Sequence, residues 1–404
     1  MGPHNYVVDP STNYRDCFVP PITEKLFQKV PLDTRILEAQ RNPPTTSQRF
    51  TNVYIPEIQD WLKQKVASIK SATGAIHIEP VKPLEETELM YITTEAQLEI
   101  MISEIEKAGE VAIDLEHNDF LSYRGITCLV QLSTRTKDYL VDPFAVFKHI
   151  HLLNKVTTNP NISKVFHAGD LDILWLQRDF GVFIVNMFDT SQAAQMVGVE
   201  GGHGLANLLK VFCDVPTNKE YQMADWTIRP LTEGMLRYAR MDTHYLLYIA
   251  DRLKETILFR GSPGNPTVWG RNMLITVYEK SAGVSMKTYE DTPPDFEPDA
   301  LKKFLSKFQA SKLGNIKTNS KCKATLVGAL KWRDSVARRM DKSKHYVLSN
   351  SDCLKLANGI PSTSNMILRL VGRYQGGSFA SMKIGQTEAD DLLRSIIREV
   401  ETVL

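Results

Sequence analysis

Two acidic residues, Asp114 and Glu116, lie within an otherwise apolar run that reads VAIDLE. Side chains alternate faces along a β-strand, so residues two apart project from the same side and these carboxylates lie close together. Two ionised carboxylates at short range repel, and burial raises that cost unless a proton or a cation intervenes. A divalent metal ion is the natural cation. The alternative is a strand end that emerges into solvent, which is the commoner reason for such a pair.

Two further acids have positions that suit the same chemistry. Asp172 begins a predicted helix directly after the strand-like run SKVFHAG, where open-sheet proteins gather functional groups. We take Asp172 rather than Asp170 as the functional acid, because an Asp at position 170 more commonly caps the helix. Asp242 follows Tyr238 by four residues in the helical stretch YARMDTHYLL, so both lie on one helical face. The leucines around them leave little room for a solvated face.

The order of the predicted elements indicates an α/β fold. The helix TEAQLEIMISEIEKAG has Thr94 as its predicted N-cap and Gly109 as its stop. Three strand-like runs follow, VAIDLE, TCLVQLST and KDYLVD, and their short polar turns predict an antiparallel meander. Strands and helices then alternate. We therefore expect a mixed five-stranded sheet with helices on its faces.

The chain divides into five predicted segments. Residues 1–83 hold ten of the twenty prolines and are expected to form an extended arm. An α/β domain follows at 84–260. The remaining segments are a linker at 261–296, a small helical domain at 297–375 and a C-terminal loop and helix at 376–404.

Composition indicates an ordinary globular protein. Of the 404 residues, 43% are hydrophobic and 24% are charged, and no apolar run approaches the length of a membrane span. The N-terminus lacks a secretory pattern, so we expect a soluble, intracellular protein. The cysteines are scattered and odd in number, which argues against a disulfide framework or a zinc site and favours reduced thiols. They are Cys17, Cys128, Cys213, Cys322 and Cys353.

Positive charge is concentrated near the C-terminal end, although the formal net charge of the chain is only +1. Residues 301–345 contain thirteen Lys or Arg and two acids, Asp334 and Asp341. An excess of this size is the electrostatic pattern of a surface that meets phosphates. A solvated helical face is the alternative, and it usually explains smaller charge runs.

Together these residues resemble the three motifs of the DEDD exonucleases, in the subgroup that has tyrosine in the third motif. The matching residues are Asp114 and Glu116 in DLE, Asp172 in FHAGDLDILWLQ, and Tyr238 with Asp242 in YARMD. The phrase QMADWTIRPL is similar to a signature of the ribonuclease D branch. The runs DLEHNDF, LSTRTKDYLVD and VNMFDT most resemble the catalytic exonucleases of the eukaryotic nuclear exosome.

A second resemblance covers the basic region. The segment ALKWRDSVARRMDKSKHYVLSNSDCLKLANGIPS is similar to the HRDC domain of RecQ helicases and ribonuclease D, and the match fades after Leu370. The two resemblances imply a ribonuclease H-like mixed-sheet exonuclease domain, a small all-α HRDC domain and an N-terminal arm. Met241 departs from the family pattern, in which an acidic or small residue often precedes the last aspartate. Family members continue beyond both ends, so we expect the chain to be a fragment.

The resemblance also implies a mechanism. Two divalent ions, Mg²⁺ or Mn²⁺, would be held by Asp114, Glu116, Asp172 and Asp242, with Asp114 bridging both ions. Tyr238 would complete the catalytic set by orienting the attacking water, since its ordinary pKa near 10 makes it a poor base at neutral pH. The expected reaction is 3′-5′ hydrolysis of single-stranded RNA to nucleoside 5′-monophosphates.

Further expectations follow for partners and location. The resemblance implies processing and degradation of nuclear RNA, including the 3′ ends of rRNA and snoRNA, with the exosome core and its associated proteins as partners. It implies the nucleus or nucleolus as the location, with no membrane and no small-molecule cofactor. Candidate substrate contacts are His167, Trp226 and Arg229. Each also has a structural interpretation: Trp226 as a packing residue and Arg229 as a partner of Asp225.

Two other functions use the same residues. A helicase-linked DNA 3′-5′ exonuclease would share all four acids, although ADWTIRPL followed by an HRDC-like segment favours RNA. A scaffold that binds RNA or proteins without cleaving them would retain the fold. The scaffold is less favoured because all four acids and the tyrosine are present. A simple HRDC-type binding module accounts for the basic region but leaves DLE and YARMD unexplained.

Overall fold

A computed structural model describes residues 18–42, 49–71, 76–217, 220–260, 266–309, 319–371 and 382–403. The chain divides into two compact units. The first takes in the described residues of Asp16–His117 and Thr127–Glu290, and the second those of Asn118–Ile126 and Asp291–Leu404. Within the described ranges, no helix is both long and apolar enough to cross a membrane.

A mixed sheet lies at the centre of the first unit. Its strands are β1 (Glu88–Ile92), β2 (Glu110–Asn118), β3 (Ile126–Ser133), β4 (Lys137–Val141), β5 (Ser163–Phe166) and β6 (Met187–Asp189), in the order β1-β4-β3-β2-β5-β6. β4 pairs parallel with β1 and antiparallel with β3, while β5 pairs parallel with both β2 and β6. The predicted count of five strands is wrong, because β1 is a short edge strand whose half-buried residues do not alternate clearly.

Helices cover the sheet. In the first unit they are α1 (Thr34–Arg41), α2 (Ile55–Ser71), α3 (Glu95–Ala108), α4 (Pro143–Val146), α5 (Asn154–Thr157), α6 (Asp172–Phe180), α7 (Thr190–Val197), α8 (Leu205–Cys213), α9 (Glu233–His244), α10 (Leu246–Leu258) and α11 (Val268–Ser285). The predicted limits of α3 are confirmed. Thr94 and Gln97 form a reciprocal capping box at its start, and Gly109 ends it with φ of 73°.

Successive side chains of β2 point to opposite faces of the sheet and lie in two separate apolar clusters. Val111, Ile113 and Leu115 lie in an apolar cluster with residues of α3 and α6. Ala112 lies in a separate cluster with residues of α7, α10 and α11. Because residues two apart share a face, Asp114 and Glu116 project from the same side of the sheet as Ala112.

The described part of the N-terminal arm packs into this unit. Tyr54, Ile58 and Trp61 are buried in the same cluster as Ala112. The side chain of Asn52 donates a 2.8 Å hydrogen bond to the backbone oxygen of Ser285 at the end of α11. The arm therefore contributes to the core of the unit that carries the four acids.

Helices make up the second unit. They are α12 (Pro298–Gln309), α13 (Ser320–Met340), α14 (Lys344–Val347), α15 (Asn350–Gly359), α16 (Ser364–Val371) and α17 (Gln386–Glu401). α17 packs closely on α13: a Cβ atom added at Gly328 would lie 2.6 Å from the Cα of Ile396. The segment predicted as a C-terminal loop and helix thus supplies a core helix to this unit, while the predicted domain boundaries stay predictions.

Part of the basic block is structural. Arg333 is buried and forms a 2.6 Å ion pair with Asp295, and Arg338 pairs with Asp334. The exposed cations are Lys302, Lys303, Lys307, Lys321, Lys323, Lys331 and Arg339. Lys312 and Lys317 lie outside the described residues.

Cys17 also lies outside the described residues. The other four cysteines are free thiols, as predicted.

Candidate active site

Three elements of the first unit carry the predicted catalytic residues. Asp114 and Glu116 lie on β2, Asp172 is the first residue of α6, and α9 carries Tyr238 and Asp242. Asp172 is only 7% exposed. The other three acids are half-buried, which leaves them accessible from one side.

The four carboxylates perturb one another. Burial raises the pKa of Asp114 to about 7. Burial also raises the pKa of Glu116 well above its usual range, and the negative charges of Asp114, Asp242 and Asp172 raise it further. The pKa values of Asp172 and Asp242 are raised by burial first and then by the charge of Asp114. No Lys or Arg of the described chain stabilises any of these charges.

These shifts bear on whether the acids suit a metal ion. Within the described ranges, no three His, Cys, Asp or Glu side chains converge tightly enough to hold an ion as they stand. Ionised carboxylates at short range repel one another, and a divalent cation bound between them would relieve that repulsion. Carboxylate oxygens are the ligands that Mg²⁺ and Mn²⁺ prefer. In chemical type, burial and lack of counter-charge, the four acids fit a divalent cation site.

Tyr238 lies among aromatic rings and acids. Its ring centroid is 5.9 Å from that of Trp226 and 6.1 Å from that of Tyr221. Burial raises the pKa of its phenol, and the charges of Asp242, Glu116 and Asp114 raise it further. The phenol therefore keeps its proton at neutral pH and acts as a hydrogen-bond donor beside the acids.

A turn held by Asp189 positions Asp172. The backbone N–H groups of Ala168 and Gly169 donate to the Asp189 carboxylate over 3.2 and 3.1 Å. Ala168 adopts a left-handed conformation with φ of 56°. Gly169 cannot carry a side chain without shifting its neighbours, because a Cβ there would lie 2.9 Å from the ring of Phe166. The start of α6 is thereby fixed against β6.

Asp170 does not cap α6. The N-cap position is Leu171, which provides no side-chain cap. Asp170 instead forms an ion pair with Lys287. The prediction failed because the helix begins at Asp172, so position 170 is one residue too early to cap it.

Asp138, which the sequence analysis did not single out, ties α9 to the sheet. Its carboxylate is 1% exposed and accepts hydrogen bonds from Ser133 (2.7 Å) and from Nε of Arg240 (2.9 Å). The Nδ1 atom of His244 lies 3.1 Å from the same carboxylate. Since Arg240 lies between Tyr238 and Asp242 on α9, this carboxylate sets the position of both.

Gln131 is a second residue that the sequence analysis missed. It lies on β3, is fully buried, and its Nε2 atom is 3.5 Å from Oε1 of Glu116. Its carbonyl oxygen, Oε1, has no hydrogen-bond partner among the described residues. A glutamine in the middle of a mainly apolar strand was the available signal, but TCLVQLST reads as a strand with or without a site.

Of the candidate substrate contacts, His167 is half-buried against Thr190 and Trp226 is almost fully buried. His167 is half-buried with its Nδ1 atom 2.9 Å from Oγ1 of Thr190, and burial lowers its pKa to about 4. His167 is therefore neutral at physiological pH. Trp226 is 2% exposed, and its indole N–H has no partner within the described chain.

Arg229 pairs with a different acid from the one expected. Its guanidinium bonds to Asp142 over 2.8 Å and donates to the backbone oxygen of Cys128 over 2.7 Å. The expected pairing with Asp225 is wrong, because the Asp225 carboxylate accepts from the backbone and hydroxyl of Thr227. Arg229 thus anchors the loop that brings the indole of Trp226 against Tyr238.

Comparisons with known sequences match this unit to nucleases. A family described as 3′-5′ exonuclease matches residues 89–258. Human exosome complex component 10 is 41% identical over 287 residues, covering 71% of this chain and 31% of that protein. The exosome complex exonuclease RRP6 of Saccharomyces cerevisiae is 39% identical over 272 residues, covering 67% and 36%. The chain spans about a third of the length of these relatives.

One solved structure matches the whole chain. The catalytic core of RRP6 from Trypanosoma brucei superimposes with a TM-score of 0.75 at 30% sequence identity, covering 100% of this chain and 99% of that one. This match confirms the predicted fold class, a mixed-sheet α/β exonuclease domain followed by a helical region.

Proposed function

Because the chain belongs to the RRP6 family of 3′-5′ exonucleases, we propose that it hydrolyses single-stranded RNA from the 3′ end with the help of divalent metal ions. The products are nucleoside 5′-monophosphates. The observation that carries this proposal is the set of four buried or half-buried carboxylates, whose pKa values are all raised and which have no basic partner in the described chain.

Two Mg²⁺ or Mn²⁺ ions are the cofactors that this donor set suits best. When bound, such ions neutralise charge on the scissile phosphate and lower the pKa of water. Asp114 is the central ligand in our proposal, because its charge raises the pKa of each of the other three acids. Glu116 and Asp242 would hold one ion together with Asp114, and Asp172 would support the second.

Tyr238 serves as a donor in this proposal. A phenol whose pKa is raised by burial and by neighbouring carboxylates keeps its proton, so it cannot accept one from water. It can donate a hydrogen bond that fixes the orientation of the attacking water or of the scissile phosphate. Asp138 supports this role by holding α9 in place.

RNA is the proposed substrate class because of the relatives and of the second unit. Exposed lysines on α12 and α13 present positive charge of the kind that binds a phosphate backbone. The names of the relatives place them in the exosome complex, so we extend to this chain an association with exosome proteins and a nuclear location. Maturation and degradation of nuclear RNA 3′ ends are the corresponding tasks.

A time course on end-labelled nucleic acid tests the proposal. Single-stranded RNA labelled at its 5′ end, and DNA of the same sequence, are incubated with the protein and Mn²⁺ or Mg²⁺. The expected result is a ladder that shortens from the 3′ end, is stronger for RNA, and disappears with chelator. Asp114→Asn should abolish the ladder, while Asp170→Asn is the matched control and should retain it.

Other outcomes select the competing functions. A ladder that is stronger for DNA would replace the RNA proposal with a DNA exonuclease. RNA that is bound but left intact with either metal would indicate a scaffold.

A further inference from the structure

Gln131 is a buried residue next to Glu116, and the oxygen of its side chain accepts no hydrogen bond from the described residues. Its side chain is 0% exposed, and its carbonyl oxygen has no hydrogen-bond partner in the described chain. Buried amide groups are almost always partnered, since an unpaired buried acceptor loses its hydration without compensation. An apolar side chain of similar size would avoid this cost at the same position. The Gln131 amide therefore needs a hydrogen-bond partner other than the described residues of the chain.

The direction of the side chain shows where that partner lies. Gln131 and Ser133 are two apart on β3 and share a face of the sheet. Ser133 contacts Thr243, the residue after Asp242, with 2.8 Å between the two hydroxyl oxygens. The Gln131 amide nitrogen approaches Oε1 of Glu116 at 3.5 Å. The amide group of Gln131 is thus beside Glu116, with its nitrogen toward that acid and its oxygen directed away from it.

We propose that Gln131 is a positioning residue of the cation site: its amide N–H restrains Glu116, and its carbonyl oxygen accepts a hydrogen bond from water that hydrates the cation. This inference rests on the proposed function. A carboxylate that binds a cation is ionised and only accepts hydrogen bonds, so the amide N–H must face Glu116 and the carbonyl oxygen must face away. Mg²⁺ and Mn²⁺ keep several waters, whose hydrogens need such acceptors.

The test compares two buried glutamines in the full chain, with no RNA present. Gln131→Met keeps the length of the side chain and removes both polar groups. Gln177→Met is the matched control, because Gln177 is also buried but its amide is satisfied, donating to the backbone oxygen of Lys287 and accepting from the backbone N–H of Tyr289. Mn²⁺ affinity is measured by calorimetric titration, and the melting temperature is measured with and without Mn²⁺.

The two variants should differ in which property they change: Gln131→Met should weaken Mn²⁺ binding, and Gln177→Met should lower the metal-free melting temperature. For Gln131→Met we expect Mn²⁺ binding about 10-fold weaker, as for other residues that orient metal ligands. Its metal-free melting temperature should be equal to or above that of the wild type, because an unpaired polar group has been removed. For Gln177→Met we expect a lower metal-free melting temperature and wild-type Mn²⁺ affinity. A purely structural role for Gln131 predicts the behaviour of the control instead.

A second variant covers the case in which Gln131→Met does not fold. Gln131→Glu keeps an acceptor oxygen and adds a charge, so the metal-free melting temperature should fall while the rise caused by Mn²⁺ becomes larger than in the wild type. Wild-type Mn²⁺ affinity in Gln131→Met, or no larger rise in Gln131→Glu, overturns the inference alone. Wild-type protein that binds no Mn²⁺ and cleaves no RNA overturns the proposed function, and this inference with it.

Discussion

The carboxylate of Asp138 on β4 accepts a 2.9 Å hydrogen bond from Nε of Arg240, which lies on α9 between Tyr238 and Asp242. The other end of the same guanidinium donates to the backbone oxygens of Leu84 and Thr87, each over 2.8 Å. One buried ion pair therefore links β4 to the helix that supplies two of the five proposed catalytic residues.

Asp138→Asn should reduce both stability and activity. The change leaves Arg240 largely buried without its counter-charge, so we expect the free energy of unfolding to fall by about 3 kcal/mol. RNA cleavage should fall as well, since α9 loses its anchor. Urea unfolding and the initial cleavage rate measure the two effects. Asp33→Asn, which removes an exposed pair with Arg35, is the control and should change neither. An unchanged urea midpoint for Asp138→Asn would contradict the role of the pair.

Tyr238→Phe should lower the catalytic rate without weakening cation binding. The phenol is held protonated by burial and by the neighbouring acids, so its contribution is the hydrogen bond it donates. Loss of one preorganised hydrogen-bond donor typically costs about 100-fold in kcat. Steady-state kinetics on RNA and Mn²⁺ titration separate the two effects. Mn²⁺ affinity that falls together with kcat would show that Tyr238 supports the metal site instead.

The metal-free protein should lose stability as pH rises. Burial raises the pKa of Asp114 to about 7 in the folded state. An unfolded aspartate titrates at about 3.9, so between these pH values the folded protein holds more protons than the unfolded chain. The free energy of unfolding therefore decreases from about pH 4 to about pH 7. Asp114→Asn should make this decrease smaller, because the other three acids also have raised pKa values and remain in place, and it should be roughly 1–3 kcal/mol more stable than the wild type at pH 8.

Chemical unfolding in chelator at pH 4 and pH 8 checks this prediction. At pH 4 the variant and the wild type should have similar stability, because Asp114 is then protonated in the folded state. A variant that is less stable than the wild type at pH 8 would mean that the carboxylate has a favourable partner there.

The turn before Asp172 offers a paired test of backbone conformation. Ala168 is exposed and has φ of 56°, a region that costs a residue with a Cβ atom about 1–2 kcal/mol. Ala168→Gly should therefore stabilise the protein by roughly 0.5–1 kcal/mol after the added entropy of the unfolded chain. Gly169→Ala should destabilise it, because the new Cβ would lie 2.9 Å from Phe166. Urea midpoints that shift in the same direction for both variants would contradict this geometry.

Local patterns in the sequence were sufficient for the elements that carry the acids. The alternation of VAIDLE placed Asp114 and Glu116 on one face of a strand, and the four-residue spacing of Tyr238 and Asp242 placed both on one face of a helix. These features depend only on the periodicity of the backbone. The comparisons confirm the family that those residues indicated.

Long-range pairings could not be predicted from the sequence. Arg229 and Asp142 are 87 residues apart in the chain, and Arg240 and Asp138 are 102 residues apart. Which acid a buried arginine meets depends on the final packing of loops and helices, so Asp225, its sequence neighbour, was the natural and wrong choice. Gln131 was missed for the same reason, since its neighbour Glu116 comes from another strand. β1 was missed because an edge strand of five residues has little periodicity to detect.

Release of nucleoside monophosphate from a short oligoadenylate, measured by chromatography at increasing Mn²⁺, tests the central claim most directly. For the wild type we expect adenosine 5′-monophosphate that accumulates with Mn²⁺ and is absent in chelator. For Asp114→Asn we expect a rate at least about 1,000-fold lower, because the ligand that couples to all three other acids has lost its charge. Equal release by wild type and Asp114→Asn, or release that persists in chelator, would show that the four acids are not the site of cleavage.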